Sequence, residues 1–351
     1  MNPSASQPID LLQELIAIPS FSKEESETAT VIRDYLSENG IEAKRYHNNI
    51  WAKNKHFDIT KPTILLNSHH DTVRPTSGYS RDPYKPDLAN GKLYGLGSND
   101  AGGALSSLIA TFIHFYEQKN LNYNLLLAIT AEEEISGDNG IGSLLKELPP
   151  IKFGIVGEPT QMQMAVAEKG LMVLDCLARG KSGHAARDEG QNAICIVAGD
   201  IEWVQFYKFD KESDFLGPVK MTPAIINGGS KHNVVPDRCS FTLDVRTTDA
   251  YTNEETLAII QNYLISEVTP RSTRLQPSFI AKDHPIVAAG KNIGLNTFGS
   301  PTLSDQALLP FPSVKIGPGK SARSHTADEY IYIDEIAKGI NTYIRLLTQI
   351  L

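Results

Sequence analysis

Thr63–Val73 reads TILLNSHHDTV: a short apolar run that ends in two imidazoles and a carboxylate, His69, His70 and Asp71. The run TILL suits a strand buried on both faces, and the polar residues follow its carboxyl end. Similar apolar runs recur at Asn124–Thr130, Phe153–Gly157 and Ser313–Gly317. Between the first two lies GGALSSLIATFIHFYEQ, apolar at Leu105, Leu108, Ile109, Phe112 and Phe115, the spacing of a helix. Buried strands alternating with helices predict an α/β layer with a largely parallel sheet and helices on both faces. Upstream, SKEESETATVIRDYLSENG pairs Ser22 with Glu25 at capping-box spacing, repeats apolar residues at Ala29, Ile32, Tyr35 and Leu36, and can close at Gly40.

From about 170 to 281 the pattern changes. LMVLDCLAR reads as a strand, NAICIVAGDIEWVQFY as a helix, KMTPAIINGG and RCSFTLDVRTT as strands, NEETLAIIQNYLISEV as a helix and RLQPSFIA as a last strand. That β-α-β-β-α-β order predicts an inserted ferredoxin-like α+β domain at 170–281, with 1–169 and 282–351 as the two parts of the first domain.

Bulk composition narrows the classes. A chain of 351 residues with 41% hydrophobic and 21% charged residues is globular in character. A net charge of −8 and no basic run argue against a nucleic-acid partner. No stretch approaches the roughly 20 apolar residues that span a bilayer. The start, MNPSASQPIDLLQEL, lacks the basic and apolar segments of a secretion signal. Cys176, Cys195 and Cys239 are odd in number and lack metal-like spacing, so they read as reduced and buried. A cytoplasmic protein without membrane attachment is expected.

In an open α/β sheet, ligands bind beyond the carboxyl ends of the strands. His69, His70 and Asp71 follow one strand, Glu132, Glu133 and Glu134 follow NLLLAIT, and Glu158 follows FGIVG. Asp100, in the loop GLGSNDAGG, adds a fourth segment. Taken singly, a histidine at a strand end is most often a hydrogen-bonded core residue, and EEE a solvated turn. Their joint arrival at one sheet edge is different, because like charges in a dry cleft repel unless a cation compensates. GLGSND also resembles a phosphate loop, but Asp100 would repel a phosphate there.

With these segments placed, the chain resembles the co-catalytic zinc amidohydrolases and peptidases, among them acetylornithine deacetylase, succinyl-diaminopimelate desuccinylase, aminoacylase and carboxypeptidase G. The resemblance rests on SHHDTV, GLGSNDAGG, TAEEEISG, VGEPT, GKSGHAA, HNVVPD with LDVR, and GPGKSARSHTADEYI, in that order over nearly the whole chain. One departure is Gly102, where many relatives carry lysine.

The resemblance implies two zinc ions, for which cobalt can substitute. His69, Asp100 and Glu158 would hold one, and Glu134 and His325 the other, with Asp100 shared. His70 becomes a spacer, Asp71 the carboxylate that orients His69, and Glu133 the general base. Glu132 is expected to be a solvated or helix-capping carboxylate. His184 would donate to the oxyanion, while Arg246 and Asn233 would bind the substrate's carboxylate or carbonyl. VGEPT and SHTADEYI resemble the acetylornithine and acetyl-lysine deacetylase branch. The implied substrate is a small N-acyl amino acid of arginine or lysine synthesis, such as acetylornithine, acetylcitrulline, acetyl-lysine or a succinylated relative. A di- or tripeptidase on the same scaffold is the alternative. The resemblance further implies a homodimer formed through the inserted domain, with His184 reaching the partner's site; the alternative is a lid domain whose His184 acts within its own subunit.

Overall fold

The computed structural model describes residues 6–187 and 189–351. They form two compact units, one comprising the chain up to Val166 with Phe279–Phe298 and Ser304–Leu351, the other Ala167–Ser278 with Gly299–Leu303.

The first unit opens with helices α1 (Ser6–Ile16) and α2 (Ser26–Glu38), then strands β1 (Lys44–Tyr46), β2 (Asn49–Lys53) and β3 (Thr63–His69). Helix α3 (Gly103–Phe115) leads to β4 (Asn124–Thr130), and β5 (Phe153–Val156) and β6 (Met164–Glu168) follow. Every residue of β3 and β4 is buried, which is why each carries a continuous apolar run, at 64–66 and 125–129. Of the expected helical stretch around α2, the capping box does not form. Ser22 instead donates to Asp71 (2.7 Å), and Glu25, the residue before the helix, accepts from the Glu132 amide (3.2 Å).

The second unit contains β7 (Met172–Arg179), α4 (Ala193–Phe206), β8 (Lys220–Gly228), β9 (Arg238–Arg246), α5 (Asn253–Tyr263) and β10 (Glu267–Pro270). Its antiparallel sheet runs β8-β9-β7-β10, the ferredoxin-like arrangement. Buried Phe241, Leu243 and Val245 of β9 alternate with half-buried residues and share a core with Val197 and Val204 of α4. The fourth strand lies earlier than RLQPSFIA: α5 stops at Tyr263 because buried Asp200 accepts from the amides of Ile265 (2.9 Å) and Ser266 (3.0 Å). Ile265 and Ser266 therefore lead out of the helix and into β10.

Back in the first unit, β11 (Ser313–Lys315) and helix α6 (Ile333–Thr348) complete the layers. The nine-stranded sheet has the central order β1-β2-β4-β3-β5-β11-β6. Pairings β4-β3, β3-β5 and β5-β11 are parallel, so these four strands deliver their carboxyl ends to one edge. Leu12 and Ile16 of α1, Ala110 of α3, and Ile336 and Ile340 of α6 pack together on the sheet's flank. Among the described residues no helix is long and apolar enough to cross a membrane.

Candidate active site

His69 ends β3 with its imidazole almost fully buried. Its Nδ1 donates to the Asp71 carbonyl (3.0 Å), and the Asp71 Oδ1 lies 3.4 Å away. Nε2 is thereby turned toward carboxylates: Asp100 Oδ1 at 3.4 Å, Glu158 Oε1 at 3.6 Å and Glu133 Oε2 at 3.8 Å. Asp71 also accepts from the amides of Glu133 (3.0 Å) and Glu134 (3.1 Å), so one carboxylate ties the β3 end to the turn after β4. His70 points the other way, donating from Nε2 to the Asn48 carbonyl (2.9 Å). Burial pushes its imidazole down to about 4, so it is a neutral internal residue.

Across the cluster, Nε2 of His325 lies 3.0 Å from Glu134 and 3.7 Å from Asp100. Bonding to Glu134 pushes this imidazole up to about 9. Burial lifts the carboxyls of both Glu133 and Glu158 well above the usual range; Glu158 and other acids add to the first, Asp100 and Glu134 to the second. Burial alone would depress His69, but Glu133, Asp100, Asp71 and Glu158 override it. The buried Oε1 of Glu158 has no hydrogen-bond partner. Ligand atoms of His69, Asp100 and Glu134 lie within 4.8 Å of one another, as do those of His69, Glu133 and Glu158. Crowded acids, an orphaned oxygen and imidazole nitrogens are a donor set that fits divalent cations such as zinc.

Three neighbouring features escape a reading of the sequence. Glu132 is buried, not solvated and not a helix cap: its carboxylate takes the Asn139 side chain (3.0 Å) and amide (3.3 Å), away from the cluster. Asp305 is buried and accepts from Thr130 (2.6 Å), and burial pushes its carboxyl up to about 6. Glu329 is buried against the Asp100 loop, and burial together with Asp100 raises it to about 8. Neither acid carries a local mark of such burial in the sequence. At Gly102 the reason for the missing side chain is steric, because a Cβ would stand 2.4 Å from Leu12 and 2.5 Å from the Gly97 carbonyl.

His184, Asn233 and Arg246 belong to the second unit. Gly183–His184 pairs with Val234–Val235, which puts exposed His184 beside exposed Asn233. His184 Nδ1 accepts from the Ala186 amide (3.1 Å). Arg246 stands at the far end of β9 and grips Asp244 with both arms of its fork (2.9 and 3.1 Å).

Fold and site together define a class: a hydrolytic enzyme built on an α/β sheet, with acids and imidazoles gathered at the strand ends. The chain belongs to peptidase family M20/M25/M40, whose profile matches residues 65–349. Among curated relatives it is 28% identical to a LysW-lysine/LysW-ornithine hydrolase of Saccharolobus solfataricus, over 97% of this chain and 95% of that one. It is 23% identical to succinyl-diaminopimelate desuccinylase 2 of a Ruegeria species, over 98% and 95%. In fold it resembles a tripeptidase from Staphylococcus aureus (TM-score 0.76, 22% identity, 100% and 99% covered). A Bacillus subtilis protein described as a dinuclear metal-binding peptidase is also similar (TM-score 0.72, 17% identity, 99% and 98% covered).

Proposed function

We propose that this protein is a metal-dependent hydrolase that cleaves the amide of an N-acyl amino acid to a carboxylic acid and a free amine. The observation that carries the reading is the convergence of His69, Asp100, Glu133, Glu134, Glu158 and His325, with a buried Glu158 oxygen left without a partner. His69, Asp100 and Glu158 would hold one ion, and Asp100, Glu134 and His325 a second; zinc suits these donors. Bound there, such ions supply the positive charge that polarises a water and the amide carbonyl. Glu133 takes a proton from the attacking water and returns it to the departing nitrogen. Asp71 keeps His69 in the tautomer that leaves Nε2 free, a role its hydrogen bonds support.

The names of curated relatives, a desuccinylase and a LysW-amino-acid hydrolase, support an acylated amino acid as substrate. Arg246 would bind the substrate's carboxylate, exchanging Asp244 for it, and Asn233 its carbonyl. His184, with Asn233 beside it, would come from a second copy, His184 donating to the oxyanion. The free edge of β8, with Ile225 and Ile226 each 55% exposed, supports pairing of two such sheets.

A panel of acetyl-, succinyl- and formyl-amino acids against di- and tripeptides tests the substrate class. Chelation should abolish turnover and added zinc or cobalt restore it; full activity in metal-free protein contradicts the reading. Preference for peptides would assign the scaffold to peptidase action instead. An α-amide of the best substrate should be poor on wild type and lose its disadvantage on Arg246→Ala.

A further inference from the structure

We infer that Glu329 is a positioning residue that locks the Asp100 loop to the segment carrying His325. Only 2% exposed, it accepts from three backbone amides of that loop: Asn99 (2.8 Å) and Asp100 (2.9 Å) on Oε1, Gly97 (3.1 Å) on Oε2. Its own carbonyl accepts from the Gly95 amide (3.0 Å). The tie is repeated on the other side of His325, where Asn99 donates to the Lys320 carbonyl (3.1 Å) and accepts from the Lys320 amide (2.9 Å). Residues 95–100 and 320–329 are thus fastened at two points, with His325 between them.

A carboxylate suits this task because its two oxygens can receive several N–H groups at once. Glutamine offers one oxygen, and its NH2 would face an amide donor. The consequence falls most heavily on one half of the cluster, because Asp100 would serve both ions but His325 only one. His69 is oriented by Asp71, and Glu158 follows β5, so neither depends on Glu329. The placement of Asp100 relative to His325 does depend on it, because Glu329 holds the Asp100 amide from a position four residues after His325.

This inference rests on the reading that the cluster holds two divalent ions, and it is tested by metal binding alone. Stripped protein is titrated with Zn2+ against a chromophoric chelator, and with Co2+ while its visible absorption is followed. Wild type should bind two ions. Glu329→Gln should weaken the ion held by both Asp100 and His325 about 10- to 100-fold, the range typical of lost support behind a ligand, and the ion that shares only Asp100 distinctly less. The milder Glu329→Asp, which keeps the carboxyl group but shortens the reach, should weaken the same ion less and serves if the glutamine variant does not fold. General loosening would weaken both ions equally. Equal weakening of both, or two ions bound at wild-type affinity, overturns the proposal while leaving the hydrolase reading intact. A wild type that binds no ion overturns both.

Discussion

Asp71 settles, at the level of one residue, how the three glutamates after β4 divide. By holding the amides of Glu133 and Glu134 it turns those two side chains into the cluster, while Glu132 is tied to Asn139. On the proposed reading, Glu133→Gln should lower the rate by at least about a hundredfold with metal content nearly unchanged. Glu134→Ala should lose metal. Elemental analysis beside kinetics separates the two, and the reverse pattern would exchange their roles. Glu132→Ala makes a contrasting case. It removes two hydrogen bonds to Asn139, which is exposed and can turn to water, so urea unfolding should show a loss of about 0.5–1.5 kcal/mol for each bond. Its metal stoichiometry should stay at the wild-type value.

Among the elements, what the sequence disclosed was whatever a local pattern can carry. The strands at 63–69, 124–130 and 153–156 are legible because burial on both faces gives each a continuous apolar run, at 64–66, 125–129 and 153–156. The acids and imidazoles at their ends are legible because strand direction alone sends them to one edge. Two readings of elements failed for a common reason. Ser22 and Glu25 have capping-box spacing, yet each finds a distant partner, Asp71 and the Glu132 amide. The stretch NYLISEV continues a helical pattern until Asp200, more than sixty positions earlier, captures two of its amides. Partners so remote leave no trace in a local window, and the burial of Asp305 and Glu329 is hidden in the same way. Asp200→Ala should therefore weaken the second unit by about 1–3 kcal/mol for each buried amide left unsatisfied. Urea unfolding should show the loss, and metal content should not change.

On the scale of the whole molecule, the second unit places its candidate substrate groups at two ends. Arg238 and Arg246 bound β9, so its ends lie about 26 Å apart at roughly 3.3 Å per residue. His184 and Asn233 accompany the end near Arg238, and Arg246 is the other end. One copy of this unit therefore does not bring all three to a single small substrate, which supports His184 and Asn233 acting together on a second copy. Mixing two inactive variants, His184→Ala and Glu133→Ala, under conditions of subunit exchange should recover part of the activity. Verified exchange with no recovery would return His184 to its own chain or remove it from the reaction.

The division of the first unit into three stretches of chain has a consequence during synthesis. The sheet β8-β9-β7-β10 is contained within residues 172–270, so it can close while the ribosome is still translating. The larger sheet cannot, because β11, the strand between β5 and β6, arrives only at 313–315, and His325 later still. For the last part of translation the nascent chain therefore carries a finished insert beside a sheet with a gap in its middle. Chains stalled near residue 300 should show the insert resistant to pulse proteolysis while β3 and β4 remain open to cleavage. In living cells, that interval is when chaperones and proteases have access to this protein.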